Sequence, residues 1–222
     1  MAIYLDPIGF IIVVGGSLLA LLLQFRLAGL LRLAPLVLRG LLQPASTPAP
    51  LRERLLALAE IARRGGPLAL EEEAARESDP FLASGLRALV EGARPDELRP
   101  LLGAELQRQA ASLEEPALFI EAGANLAPAL GMVGTLLALI GGRGIGPALL
   151  PTLYGTLLGP VVLQSLGGAL RQKGEQQLRL WSAAGEGLLG ISAGDAPRHL
   201  AERLQALLPG GASRRDEGDE VA

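Results

Sequence analysis

The chain of 222 residues has no cysteine, which excludes disulfides and thiolate metal ligands. Its single histidine, His199, leaves no imidazole cluster for zinc and no Ser-His-Asp triad. Lysine occurs only as Lys173, aromatic residues make up 3% of the chain and charged residues 19%. A net charge of -3 offers no basic face, and nucleic-acid binding depends on one. The glycine cluster from Gly141 to Gly146 (GGRGIG) lacks the lysine and the strand context of a phosphate loop. With no nucleophile–base pair either, the sequence is not that of an enzyme, and no cofactor is expected.

What is abundant is aliphatic: half of the residues are hydrophobic, mostly Leu, Ala, Val and Ile. They fall in three runs. Pro7 to Phe25 carries no charge, and its length suits a hydrocarbon core of roughly 30 Å at about 1.5 Å per residue. No positively charged stretch precedes it, so it makes a poor signal peptide. Gly15, Gly16 and Ser17 in its middle would let another helix approach closely. Arg26, Arg32 and Arg39 follow and place its C-terminal end in the cytoplasm. Ala117 to Gly142 and Gly146 to Leu170 are the second and third runs, joined by a link short enough to make a hairpin. Arg171 and Lys173 return it to the cytoplasmic side, and Arg143 in the link is an exception to the charge rule. Trp181 and Arg179, just beyond, read as interface anchors.

Between the first and second runs the pattern changes. Leu27 to Leu42 holds Arg32 and Arg39 on one helical face and Pro35 within it. Each arginine in mid-bilayer would cost about 2.5–3.5 kcal/mol, so this reads as an amphipathic helix at the membrane surface. Gln43 to Pro50 (QPASTPAP) is a linker. Leu51, Leu55, Leu58 and Ala62 then mark one face of a soluble helix that Gly65-Gly66-Pro67 ends. Asp79-Pro80 opens another helix with aspartate at the N-cap, and Arg94-Pro95-Asp96 opens one more. A last amphipathic helix spans Pro197 to Leu208, and Gly210 to Ala222 is a polar tail expected to be disordered. The expected architecture is therefore all-α: a polytopic membrane protein with three transmembrane helices and a cytoplasmic helical domain. Its segments are a first span at 1–25, an interfacial helix and linker at 26–50, a helical domain at 51–116, a transmembrane hairpin at 117–172, and C-terminal helices with the tail at 173–222.

Six stretches carry a resemblance: FIIVVGGSLLALLLQF (10–25), EIARRGGPLALEEE (60–73), DPFLASGLRALVEGARPDELR (79–99), NLAPALGMVGTLLALI (125–140), IGPALL with TLYGTLLG (145–159), and GEGLLGISAGDAPRHLAERLQALLP (185–209). In this order they resemble the flagellar stator A-subunit family (MotA/PomA), within the MotA/TolQ/ExbB proton-channel family. The resemblance implies a ring of five such subunits in the bacterial inner membrane, around a single-span partner that grips peptidoglycan and supplies the ion-binding aspartate. Ion flow, H⁺ or Na⁺, would turn the ring against a rotor protein. An outer-membrane energiser of TolQ/ExbB type, or a non-conducting scaffold derived from the family, are the alternatives. The family's first helix has no counterpart here, the link between the last two spans is shorter, and Pro151-Thr152 stands where adjacent threonines are usual. Ser165 stands at the later proline position, with Pro160 upstream.

The resemblance also assigns residues. Thr135 and Thr152 match hydroxyls that line the ion path; a hydroxyl in lipid can coordinate a cation or bond a water wire. The plainer reading is that each, like Thr156, bonds a carbonyl of its own helix. Pro128 matches a site of conformational coupling, against the plainer reading of a packing kink. Arg63, Arg64 and Glu71 match charges used against the rotor, against the plainer reading of solvated surface. Gly123, Gly131, Gly134, Gly155 and Gly159 form small-residue stripes suited to close packing against partner helices, which fits a ring of subunits but does not identify those partners. No acidic residue lies deep in any run, so a titrating group must come from a partner.

Overall fold

A computed structural model of the chain describes residues 6–42 and 47–208; of residues 26–34, 36, 39 and 41 only the backbone is described. The elements in order are α1 (Pro7–Leu42), α2 (Pro48–Gly65), a 3₁₀ turn (Pro67–Leu70), α3 (Glu71–Arg76), α4 (Pro80–Val90), α5 (Pro95–Ile140), α6 (Ile145–Ala148), α7 (Leu150–Thr156), a π-helical segment (Leu157–Leu163), α8 (Gln164–Ala193) and α9 (Pro197–Leu207). No strand occurs among the described residues. The linker from 43 to 46 and the tail from Gly210 lie outside the described set, as do the side chains of Arg26, Arg32 and Arg39.

The chain divides into two compact units. Unit 1 comprises Met1–Gln43 and Ser112–Gly174, and unit 2 comprises Pro44–Ala111 and Glu175–Ala222. Three stretches are long and apolar enough to cross a membrane: Pro7–Phe25 (mean hydropathy 2.4), a window within Pro95–Ile140 (1.7) and one within Ile145–Ala193 (1.4).

Two boundaries differ from the sequence reading. The first span and the segment read as a separate surface helix are one unbroken helix, α1. Likewise the helix opening at Pro95 continues into the second apolar run as α5, 46 residues long, although Pro100, Pro116 and Pro128 lie inside it. Each proline lacks one backbone N–H, yet the flanking turns keep their bonds, so the helix survives. The C-terminal helices, read as a segment apart, fold together with 44–111 in unit 2.

Unit 2 is built like a water-soluble bundle. Leu55, Leu58, Leu70, Phe81, Leu86, Leu98, Leu188, Leu200 and Leu204 are fully buried in it. Leu55 and Leu58 lie on the expected stripe of α2, while Leu51 and Ala62 are half-buried. Gly66 ends α2 at φ 75°, a backbone conformation that favours glycine. Asp79 caps α4 as expected, its Oδ1 accepting from the N–H groups of Phe81 (2.9 Å) and Leu82 (3.2 Å). The same carboxylate accepts the indole N–H of Trp181 at 2.9 and 3.1 Å, and the Trp181 ring stacks on Phe81. Trp181 is thus buried in the unit 2 core rather than serving as an interface anchor, and Arg179 pairs with Glu175 at 3.6 Å. The aromatic ring alone misled the sequence reading, because the acceptor for its N–H lies 102 residues away.

Asp79→Ala should destabilise unit 2 by about 2 kcal/mol, since it removes a cap and strands a buried indole N–H. The fluorescence of Trp181, the sole tryptophan, reads this as a lower thermal midpoint in detergent, with Asp79→Asn losing less.

Candidate functional site

Unit 1 turns its apolar side chains outward. Leu23 is 80% exposed, and Ile11, Met132, Leu136, Leu157 and Val161 are exposed as well. What lies inside is small. Buried residues of α1 recur every four positions at Gly9, Val13, Ser17 and Leu21. Opposite them, Ile12 meets Gly134, Leu130 meets Gly16, and Leu21 meets Gly123.

The hairpin of α5 and α7 packs backbone on backbone. A Cβ on Gly131 would lie 2.7 Å from the Pro151 carbonyl oxygen and 3.1 Å from Thr152 Cα. One on Gly155 would collide with the Ala127 carbonyl, and one on Gly159 with the Ala124 carbonyl. The glycine stripes, whose partner helices the sequence does not identify, have neighbours within this chain. Only glycine permits an approach this close.

That approach brings Thr135 and Thr152 together. Their hydroxyl oxygens are 2.6 Å apart, across the two helices. Both also reach the Gly131 carbonyl, Thr135 at 3.1 Å along its own helix and Thr152 at 3.2 Å from the other. Both side chains are half-buried. Thr135 thus bonds the carbonyl four residues back, as the plainer reading has it, and also joins an interhelical pair. Thr156 is exposed and bonds the Thr152 and Leu153 carbonyls, and Ser165 bonds that of Val161, both along their own chain.

Pro128 is half-buried in α5. It cannot bond the Ala124 carbonyl four residues back, and that freed oxygen is the one lying against Gly159. Facing it is the π-helical segment with Pro160 inside. Pro160 likewise removes a ladder bond, and the chain resumes by a wider turn in which Gln164 N–H donates to the Gly159 carbonyl. Two helices with weakened ladders therefore face each other at one level. Pro151, which occupies the position of a usual threonine, is buried in the first turn of α7, where its missing N–H costs nothing.

Charged pairs stand at both ends of the hairpin. Glu121 of α5 accepts two bonds from Arg171 of α8, at 3.1 and 2.8 Å. Arg143, in the turn, donates from Nη1 to both oxygens of Asp6 at 2.9 Å each. Asp6 is 8% exposed, and its N–H donates to the Tyr154 hydroxyl at 3.2 Å. Burial alone would push the Asp6 carboxyl up. The bonds from Arg143 and the Gly9 N–H, the guanidinium charge and the Ile8 N–H outweigh it and hold the group below the ordinary carboxylate value. Asp6 is a site residue absent from the expectations drawn from sequence. An acid just before the proline that opens an apolar run is an N-cap signal that could have found it.

In unit 2, Arg63 and Arg64 close α2 and Glu71 opens α3, each where the helix dipole favours its charge. Arg64 pairs with Glu60 at 2.6 Å on the surface, and such pairs add little stability. Arg63 is exposed at a cavity of 340 Å³ that Arg94, Ser192 and Asp195 also line. Glu71 is exposed on its own turn. Among the described residues no group of acidic or histidine side chains has a metal-binding arrangement.

These features can be set beside known proteins. The family model of the MotA/TolQ/ExbB proton channel family matches residues 73–141. Motility protein A of Treponema phagedenis is 36% identical over 208 residues, which cover 89% of this chain and 80% of that protein. The chain belongs to the MotA/TolQ/ExbB proton channel family. The flagellar MotAB stator complex from Bacillus subtilis contains a chain that superposes with a TM-score of 0.84 at 26% identity, over 94% of this chain and 86% of that one. C. jejuni MotAB shares the fold, with a TM-score of 0.86 at 20% identity over 95% and 87%. The all-α membrane fold is therefore that of the stator channel subunits, and the role is that of a stator ion-channel subunit embedded in a membrane. A TolQ/ExbB-type energiser and a non-conducting scaffold are not favoured.

Gly155→Ala should cost about 1–3 kcal/mol by forcing the α5 and α7 backbones apart, while Gly146→Ala, in open space, should cost far less. Thermal midpoints of the two variants in detergent measure the difference.

Proposed function

We propose that this subunit carries ions past the Thr135–Thr152 pair, and that a membrane partner presents the titrating carboxylate to it. The observation that carries this reading is the pair itself: two hydroxyls 2.6 Å apart, both within reach of one backbone carbonyl and half-exposed on a largely apolar surface. Such a cluster offers lone pairs to a hydrated cation or a proton-carrying water and holds no charge to trap it. Of the carboxylates described in unit 1, Glu114 and Glu115 are exposed and precede the second apolar run, while Asp6 and Glu121 are held by arginines, which supports a titrating group on another protein.

The partner is a single-span, peptidoglycan-binding stator B subunit whose membrane aspartate binds the ion, H⁺ or Na⁺. The subunit forms a homo-oligomeric ring, a pentamer, in the bacterial inner membrane. Pro128 couples ion passage to movement, because its freed carbonyl and the π-helical segment opposite let the two helices bend at one level with little loss of bonding. Arg63, Arg64 and Glu71 orient a rotor protein on unit 2 through surface charge, which sets encounter rate and register more than affinity.

Co-expression with its cognate partner in stator-deficient cells should restore motility. Thr152→Val and Thr135→Val should each lower ion flux about tenfold or more, the effect of roughly 1.4 kcal/mol lost at the barrier. Thr→Ser at either position should retain most of it. Equal flux in the valine variants would sink the assignment of the path.

A further inference from the structure

The cluster of Asp6, Arg143 and Tyr154 has no part in the path proposed above, yet it grips the chain on both sides of Thr152. Asp6 caps the start of α1, and its N–H meets the hydroxyl of Tyr154, two residues after Thr152. Phe10, one turn further along α1, packs edge-on against the Tyr154 ring at 6.1 Å. Gly9 lies where a Cβ would be 2.6 Å from both Asp6 Oδ2 and Pro151 Cγ, so the first turn of α1 packs closely on the residue that precedes Thr152. α7 is otherwise held by its backbone contact with α5. It is seven residues long, has no side-chain cap at its start and runs directly into the π-helical segment.

We propose that Asp6 and Arg143 are positioning residues, an ionic latch that seats α7 so that Thr152 meets Thr135 across the hairpin. This rests on the ion-path reading above. Arg143 fixes the carboxylate with two bonds from one nitrogen. The carboxylate fixes the first turn of α1, and that turn holds Pro151 and Tyr154. Among the described residues, the side chains that bond Asp6 are Arg143 from the turn and Tyr154 from α7.

The test is ion flux per assembled complex in membrane vesicles holding the subunit and its cognate partner. The amount of complex is measured separately by purification. Flux by the unaltered subunit establishes the channel; its absence would overturn the ion-path reading rather than the latch. Given that flux, Asp6→Asn and Arg143→Gln should each reduce flux per complex about tenfold, as small misplacements of reacting groups do. The double variant should be no worse than either single one, because the pair acts as a unit. Arg143→Lys should retain most of the flux. Unchanged flux per complex in both single variants, or losses that multiply in the double, would overturn the latch. Should neither single variant assemble, Tyr154→Phe decides: it keeps the ring against Phe10 and removes only the hydroxyl. Reduced flux per complex supports the latch, and full flux overturns it.

Discussion

The membrane unit depends on one constraint: α5 and α7 touch backbone to backbone. Any side chain at 131, 155 or 159 would push against a carbonyl or a Cα of the other helix. Hydroxyls are short, and the Thr135–Thr152 bond can form only at that separation. The same contact shelters the carbonyl that Pro128 leaves unbonded, because Gly159 brings its Cα against it. Packing here is dispersion over a close fit, since lipid tails offer no contrast to an apolar side chain. The interior of unit 1 is accordingly rich in glycine, alanine and proline, joined by Val13, Leu21, Leu150 and Leu170, while many of its leucines face outward, the reverse of unit 2.

Charge is handled by segregation. Bidentate arginine–carboxylate pairs close the ends of the hairpin, Arg143 with Asp6 and Arg171 with Glu121, and between them the polar groups are neutral. A buried pair of this kind is weak evidence of stability, because desolvation consumes much of the attraction. Its stronger effect is on register, because two bonds fix both the distance and the rotation of the partners.

Much of this architecture was legible in the sequence for physical reasons that can be named. The absence of charge over Pro7–Phe25 and its near absence over the two later runs, where Glu121 near one end is the exception, are a direct imprint of hydrocarbon, and the N-cap at Asp79-Pro80 is local chemistry. The unbroken α5 was not legible, because Pro116 reads as a helix stop in water and the tertiary setting that tolerates it lies elsewhere in the chain. The unions of Thr135 with Thr152, Asp6 with Arg143 and Asp79 with Trp181 span 17, 137 and 102 residues. Periodicity holds no information about such pairs. Gly131 and Gly155 could be read as close-packing residues, but not whether the neighbour was this chain or another copy.

The Asp6–Arg143 pair has a consequence for how the chain enters a membrane. A lone arginine at a hairpin tip must be moved through the bilayer, and the transmembrane potential does work on it of about 2.3 kcal/mol per 100 mV. The counter-charge that balances it belongs to a helix made more than a hundred residues earlier, already seated when the hairpin arrives. The tip thus meets a waiting anion. Once docked it presents no net charge to the field, so the potential has nothing by which to pull the hairpin back.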